Sequence, residues 1–450
     1  MNPGSDQSSG DLTRDDGYEL DRSAVAAILY AVDCEDKEQL TQLMEPLHAA
    51  DIADLLEQIN SNDRERLIHL YGREFDGEIL TELEESVRED VIPILNPQVL
   101  AEAVRDLETD DVVDLVEDLE EPQQEAILDV LEDADRVAVE QSLSFPENSA
   151  GRLMQREVVM APEHWNVGQT IDFLRESDDL PEQFYHVIMI DPRMKPVGNV
   201  TLGKLMGARR EVPLLELKEE VFEVIPADQD EEEVAYAFNQ YHLISTPVVD
   251  ADERLVGVIT IDDAMAVLDE EHEEDILRLA GVGESALSDS VADTAKKRLP
   301  WLGVNLFTAI CASLVISQFE ATIAELVSLA ILMPIVASMG GNAGTQSLTV
   351  AVRALATKDL TGSNVWRVIR RELMVGMLNG LCFAVVLGLV GMLWFNSPML
   401  GAVIGCALVF NMIIAGFAGT VVPASGTFVT TTTDVMGFFI FLGMASKVLL

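Results

Sequence analysis

The sequence predicts a multidomain chain: an all-α superhelical N-terminal domain, an α/β domain built from a tandem repeat, and an α-helical transmembrane domain of five spans. Three observations carry that prediction. Charge is partitioned: of 29 basic and 78 acidic residues, only six (Arg353, Lys358, Arg367, Arg370, Arg371, Lys447) and five (Glu320, Glu325, Asp359, Glu372, Asp434) follow residue 298. Residues 1–298 therefore carry a net charge of −50, and the remainder is nearly neutral and apolar. Within that remainder several stretches reach the ~20 uncharged residues that a ~30 Å hydrocarbon layer requires. Ahead of it, one segment recurs at a constant offset of 59 residues.

The charge excludes a nucleic-acid partner, since a polyanion repels phosphate. The apolar third excludes a soluble single-domain enzyme. Cys34, Cys311, Cys382 and Cys406 are too widely spaced for a disulfide framework or zinc motif. Residues 1–20, polar and acidic with neither a basic start nor an apolar core, read as a disordered tail rather than a signal peptide. The acidic half is accordingly expected in the cytoplasm.

Residues 21–145 place apolar side chains at three-and-four spacing, as in Ile52, Leu55, Leu56 and Ile59, or Val112, Leu115, Val116 and Leu119, which predicts short amphipathic helices. Asp51-Ile-Ala-Asp-Leu-Leu56 returns sixty residues later as Asp111-Val-Val-Asp-Leu-Val116, suggesting stacked helical hairpins. Over residues 146–268 the texture changes to short β-rich runs between helices. There Asp191 to Met206 matches Asp250 to Met265, with five of sixteen positions identical, including Val197-Gly198 with Val256-Gly257 and Thr201 with Thr260. Residues 269–298 form an acidic linker, in which Glu270, Glu271, Glu273, Glu274 and Asp275 precede a connecting helix from about Ala292 to Arg298.

In residues 299–450 the expected spans are Pro300–Phe319, Thr322–Thr345, Leu373–Phe395, Met399–Val422 and Thr427–Leu450. Lys296, Lys297 and Arg298 precede the first, and five basic residues lie between the second and third, while the first-second and third-fourth turns have none. Basic loops face the cytoplasm, so the amino terminus is expected inside and the carboxyl terminus outside.

Two segments of this domain carry polar chemistry. Pro334 to Ser347 contains Met339-Gly340-Gly341-Asn342-Ala343-Gly344-Thr345-Gln346. Its glycines permit either close helix contact or non-helical backbone that exposes carbonyl oxygens, the latter tolerated in lipid only against protein or a wet path. Thr427 to Thr433 lead into Asp434, the lone charge between Glu372 and Lys447. At ~1.5 Å per residue it sits ~12 Å from Gly426 and ~20 Å from Lys447, too far to pair with that lysine. A carboxylate at such depth costs roughly 2.5 to 3.5 kcal/mol, which selects for a wet pathway or a cationic partner.

The turn-Val-Gly-x-(Val/Ile)-Thr plan of the duplicated segment resembles a pair of cystathionine-β-synthase-type (CBS) domains. The whole order, with Pro-x-x-x-x-Met-Gly-Gly-Asn-x-Gly-x-Gln-Ser, Arg353-Ala-Leu-Ala-Thr357 and Thr432-Thr-Asp-Val-x-Gly-Phe438, resembles the MgtE family of magnesium channels over residues 25–450. That resemblance implies a homodimer in a cell membrane, not an enzyme, with a pore between protomers lined by the second and fifth spans. It places Asp434, Asn342, Gly340, Gly341, Gly344 and Thr433 along the ion path. It also implies closure by cytosolic Mg2+ held on the acidic half, with Asp110 and Asp114 in the helical domain and Asp228, Asp230 and Asp250 in the second CBS repeat. Glu270, Glu271, Glu274 and Asp275 lie where bridging by cations could move the connecting helix. The family's longer connector between the fourth and fifth spans is replaced here by Val421 to Gly426. Co2+, Ni2+ or Mn2+ as further cargo, ATP at the CBS pair, and an ion-coupled carrier mechanism stay open.

Overall fold

The computed structural model describes residues 20–450 except 106, 118, 120, 178, 179, 182, 221, 281–290, 361 and 422–425. The expected disordered tail thus lies outside the described residues, Leu20 apart, as do the short connector and the middle of the acidic linker. The chain divides into two compact units, with the division falling at Glu270.

The first unit begins with ten described α-helices: α1 (Arg22–Asp33), α2 (Lys37–Met44), α3 (Ala49–Gln58), α4 (Ser61–Tyr71), α5 (Glu78–Thr81), α6 (Glu85–Val91), α7 (Pro97–Arg105), α8 (Thr109–Glu117), α9 (Glu121–Leu128) and α10 (Asp133–Ser142). Short polar side chains start several of them. Asp21 accepts from the Ser23 N–H and Asp36 from the Gln39 N–H, each satisfying a donor that the first turn leaves free. The apolar positions read from the sequence, Ile52, Leu55, Leu56, Ile59, Val112, Leu115, Val116 and Leu119, all enter one core. The weak repeat has a local cause: Asp51 accepts from the His48 N–H at 3.1 Å, closing a capping box at the start of α3. Asp111 accepts from the Glu108 backbone in the same way at the start of α8.

The duplicated region follows α11 (Ala150–Leu153). Strand β1 (Met160–Pro162), helix α12 (Val167–Glu176), strands β2 (His186–Ile190) and β3 (Pro196–Thr201) and helix α13 (Leu202–Gly207) form the first repeat. Strand β4 (Ile225–Pro226), α14 (Glu231–Tyr241), β5 (Ser245–Val249), β6 (Leu255–Thr260) and α15 (Ile261–Ala280) form the second. Each sheet pairs its first strand parallel and its last strand antiparallel to the middle one. The duplication extends to register: Met189 faces Gly198 and Val248 faces Gly257, and a bulge follows each of Met189 and Val248. A Cβ on Gly257 would lie 2.7 Å from the Gln155 carbonyl, which is why the Val-Gly signature leaves no room for a side chain there. Equivalent positions also meet, for His186 Nδ1 and Ser245 Oγ are 2.6 Å apart, as two repeats about a local twofold require.

The second unit contains α16 (Val291–Ser317), α17 (Glu320–Glu325), α18 (Ser328–Ala356), α19 (Val365–Phe395), α20 (Pro398–Val421) and α21 (Gly426–Val448). Among the described residues four helices are long and apolar enough to cross a membrane, namely Thr294–Ser317 of α16, and α19, α20 and α21. Helix α18 spans 29 residues, but its Gly, Asn, Ser and Thr content dilutes its hydropathy. The expected second span shifts: α17 ends at Leu326, whose backbone leaves the helical region, and α18 then runs past Thr345 to Ala356. Helix α20 is the most enclosed of the four, its spanning window 61% buried against 6% for α16 and 11% for α19. Glycines make that enclosure possible. A Cβ on Gly376 would lie 2.5 Å from the Met412 carbonyl, one on Gly401 2.4 Å from the Gly388 carbonyl, and one on Gly419 2.4 Å from the Gly344 carbonyl. Small residues at these crossings let backbones approach where lipid supplies no hydrophobic drive for association.

Candidate functional site

Two polar rows run side by side in the second unit. On α18, Ser338, Asn342, Thr345 and Thr349 are exposed, and their three-and-four spacing puts them on one face. On α21, Thr427, Thr430, Thr431 and Asp434 share a face by the same spacing, Thr430 exposed and the others half-buried. The rows meet where a Cβ on Gly341 would lie 3.8 Å from Thr430 Cγ2. Both helices are unbroken across this region.

The threonines determine what these rows offer. Thr345 donates to the Gly341 carbonyl at 3.0 Å and Thr349 to the Thr345 carbonyl at 3.0 Å. Thr430 donates to the Gly426 carbonyl at 2.9 Å and Thr431 to the Thr427 carbonyl at 2.7 Å. Each hydroxyl proton is thus spent within its own helix, and each oxygen keeps lone pairs for other donors. A hydrated cation presents water protons to its surroundings, so a line of acceptors ending at a carboxylate suits it. Among the described residues no side chain forms an ion pair or hydrogen bond with Asp434.

The glycines of α18 resolve the alternative left by the sequence in favour of close helix contact. Gly340 is buried against Asn411 of α20, and Gly344 against Val429 of α21. Thr433, fully buried, donates to the Thr430 carbonyl at 2.8 Å. Gly340, Gly344 and Thr433, expected on the ion path, therefore lie within the protomer's own packing, and neither α18 nor α21 opens among its described residues to present carbonyls. Gly341 is half-exposed between the rows, and Asn342 and Asp434 are on the open face.

In the first unit, Asp110 at the start of α8 is 7% exposed. Burial, then the charges of Asp263, Asp111 and Glu108, push its carboxyl well above the ordinary value. Asp111 is pushed up to about 7 by burial and by Asp263 and Glu108. Asp263, in the first turn of α15, is pushed up to about 6 by burial, against a 2.6 Å hydrogen bond from Thr260 Oγ1 that favours its anion. Four carboxylates from the helical domain and the second repeat thus crowd one interface, flanked by Thr109 Oγ1 donating to Glu157 at 2.6 Å and Arg152 paired with Glu117 at 2.7 Å. Among the described residues no three such groups already converge as a metal cage.

The other expected sensor residues are dispersed. Asp114 pairs with Arg88. Asp228 is exposed, and Asp230 caps α14, accepting from the Glu232 N–H at 3.1 Å. Asp250 holds the β5–β6 turn, accepting from the Asp252 and Arg254 N–H groups at 2.9 and 2.8 Å, as Asp191 does for its own hairpin. Glu270 is exposed on α15, and Glu271, Glu274 and Asp275 share a half-buried face of it. Asp263 and Asp111 were missed in the sequence. A signal existed for Asp263: at the offset of 59 it replaces Lys204, a reversal of charge within the duplication.

Between the two repeats a cleft is lined by Val159, Tyr185, His186, Ser245, Val258 and Thr260 among others. Burial pushes the His186 imidazole down, keeping it neutral.

Comparison with known proteins gives three family matches: a divalent cation transporter family (MgtE) over residues 333–444, the MgtE intracellular N domain over 47–148, and a CBS domain over 217–270. The chain is 32% identical over 320 residues to a protein of Enterococcus faecalis (strain ATCC 700802 / V583) named magnesium transporter MgtE, covering 68% of this chain and 71% of that one. A protein of the same name from Bacillus subtilis (strain 168) is 29% identical over 419 residues, 90% and 92% of the two chains. A crystal structure of the cytosolic domain of the Mg2+ channel MgtE in complex with ATP aligns with a TM-score of 0.50 and 27% identity, covering 54% of this chain and 99% of that one.

Proposed function

The chain belongs to the MgtE family, whose relatives are magnesium transporters rather than enzymes, and from that premise we propose that it is a homodimeric Mg2+-selective channel with five spans. Its amino terminus faces the cytoplasm and its carboxyl terminus the outside of the cell membrane. The observation that carries this reading is the open face on α18 and α21, where Asn342, threonine oxygens and the unpaired Asp434 stand together. A polar face exposed on one protomer is unstable against lipid, and a second copy related by a twofold would enclose it as a wet path.

Mg2+ holds its water shell tightly and prefers octahedral oxygen coordination at ~2.0 to 2.1 Å, so outer-sphere contact with acceptors suits it better than stripping by carbonyls. The two Asp434 carboxylates compensate the ion's charge, and the threonine oxygens accept from its waters. Membrane potential supplies the drive: at ~2.3 kcal/mol per charge per 100 mV, a divalent ion gains about 4.6 kcal/mol on entry.

Crowding of Asp110, Asp111, Asp263 and Glu108 supports cytosolic Mg2+ as the closing ligand. Their mutual repulsion is relieved by a divalent cation, and that differential affinity biases the closed form. An adenine nucleotide at the CBS pair is a further ligand of this reading, supported by the ATP-bound relative.

Reconstituted into liposomes with an internal Mg2+ dye, the protein should take up Mg2+, and Asp434→Asn should reduce uptake by more than about tenfold, a factor worth ~1.4 kcal/mol, with unchanged thermal stability. Undiminished selective uptake would remove Asp434 from the path. Transport abolished by collapsing a proton or sodium gradient at fixed voltage would instead establish a coupled carrier.

A further inference from the structure

A polar side chain behind the two rows has no part in the function described so far. Asn411, on α20, is fully buried. Its Nδ2 donates to the Val336 carbonyl at 2.9 Å, and because a carbonyl only accepts, that bond fixes which way the amide points. Its Oδ1 is then enclosed with no donor. Two glycines close on the amide from different helices. A Cβ on Gly340 of α18 would lie 2.2 Å from Nδ2, and one on Gly437 of α21 would lie 2.9 Å from Nδ2 and 3.0 Å from Oδ1. Gly340 is two residues before Asn342, and Gly437 is one turn beyond Asp434. The amide is clamped between the backbones of the two helices that carry the polar rows, beside the level of Asp434.

A leucine would fill this position without leaving an orphan oxygen, and a buried unsatisfied acceptor is unfavourable for stability alone. What the amide adds is direction: one donor bond to one carbonyl admits one register, whereas apolar side chains slide, as single buried asparagines show when they fix register in helix pairs.

We propose that Asn411 is a positioning residue for the ion path: its bond to Val336 fixes α20 against α18, α21 seats on the same amide through Gly437, and together these contacts set the height at which α21 passes α18 and hence the placement of Asp434 against Asn342. The proposal rests on the reading that these two residues line that path. The test uses the full chain with Cys34, Cys311, Cys382 and Cys406 replaced, carrying Gly341→Cys and Thr430→Cys as a register probe, since those positions nearly touch. In this background Asn411→Leu should lower oxidative cross-linking. Without the probe cysteines, in liposomes, it should lower the Mg2+ over Ca2+ uptake ratio by about tenfold or more, while the protein still assembles. Normal cross-linking and normal selectivity overturn the proposal. Should Asn411→Leu fail to assemble, the pair Gly340→Ala with Asn411→Ala replaces it: it should assemble where Gly340→Ala alone does not, yet lack normal selectivity, and wild-type selectivity in the pair is equally fatal. Asp434→Asn run alongside separates the two readings. If it leaves selectivity intact the ion path itself is wrong, whereas its loss beside an unaffected Asn411→Leu refutes only the positioning role.

Discussion

Gly419, packed on Gly344 of α18, and Asn342, two residues before that glycine, answer different questions. A methyl group on Gly419 would meet the Gly344 carbonyl at 2.4 Å, and backbone cannot swing aside as a flexible side chain can. Gly419→Ala should therefore lower the melting temperature of the detergent-solubilised protein, with an overpacking cost of about 1–3 kcal/mol. Asn342 is exposed on its helix, so Asn342→Ala should leave the melt unchanged and reduce Mg2+ flux; calorimetry and dye uptake on the same preparations separate the two effects. The sequence displays Gly340, Gly341, Asn342 and Gly344 as one motif. It does not say which members face a neighbouring helix, because that depends on where α20 crosses, and the crossing is set by Gly419 and Asn411 far along the chain. Asp434 was legible without such help, since an isolated charge in an apolar run is conspicuous whatever surrounds it.

At the scale of elements, the proposed sensing reading falls on the meeting of α8 with the start of α15, where a bound cation would compete with protons. The ordinary value for these carboxyls is 3.8, and Asp111 and Asp263 are pushed up to about 7 and about 6 where they are buried together. The docked state therefore binds more protons than the undocked one across that interval. Docking should lose stability as pH rises from about 4 through about 7, with no loss below 4 where both states are protonated. On the proposed sensing reading, a divalent cation takes over from the protons at neutral pH. Protection of the α8 amides in the full-length protein, after correction for the base-catalysed intrinsic exchange rate, should thus be high at pH 5.5, lower at pH 7.5, and high again at pH 7.5 with millimolar Mg2+. Asp263→Asn should flatten the pH dependence and weaken the Mg2+ response together; an α8 whose exchange ignores both would remove this interface from the sensing reading. Helix periodicity pointed to α8 and the 59-residue offset to the two repeats, while the shared register and the bulges after Met189 and Val248 emerge only from the structure. The charge cluster was harder to foresee, because Asp110 and Asp263 are 153 positions apart in sequence and acquire meaning only when tertiary packing buries them.

The whole molecule separates its charge along the chain: residues 1–298 carry net −50, and the rest is almost neutral. That partition needs no tertiary information and was fully legible. The number of crossings is less direct: the sequence reading gives five, and length and hydropathy single out four of the described helices, because α18 carries Ser338, Asn342 and Thr345 among its apolar residues. If α18 lines a wet path as proposed, those polar groups are tolerated in lipid only where neighbouring protein or water meets them. Gly362, between α18 and α19, and Ser397, between α19 and α20, discriminate the possibilities. Gly362 has nothing within 4 Å of an added Cβ, so a cysteine there is sterically free. If α16, α18, α19, α20 and α21 all cross, and the basic residues near Arg367 are inside, Gly362→Cys is cytoplasmic and Ser397→Cys is external. If α18 does not cross, both assignments reverse. In a cysteine-free background, a membrane-impermeant maleimide applied to intact cells should label Ser397→Cys at once and Gly362→Cys only after permeabilisation. The opposite pattern would leave α18 on the outer surface, and with it would go the enclosure of Asn342 opposite Asp434.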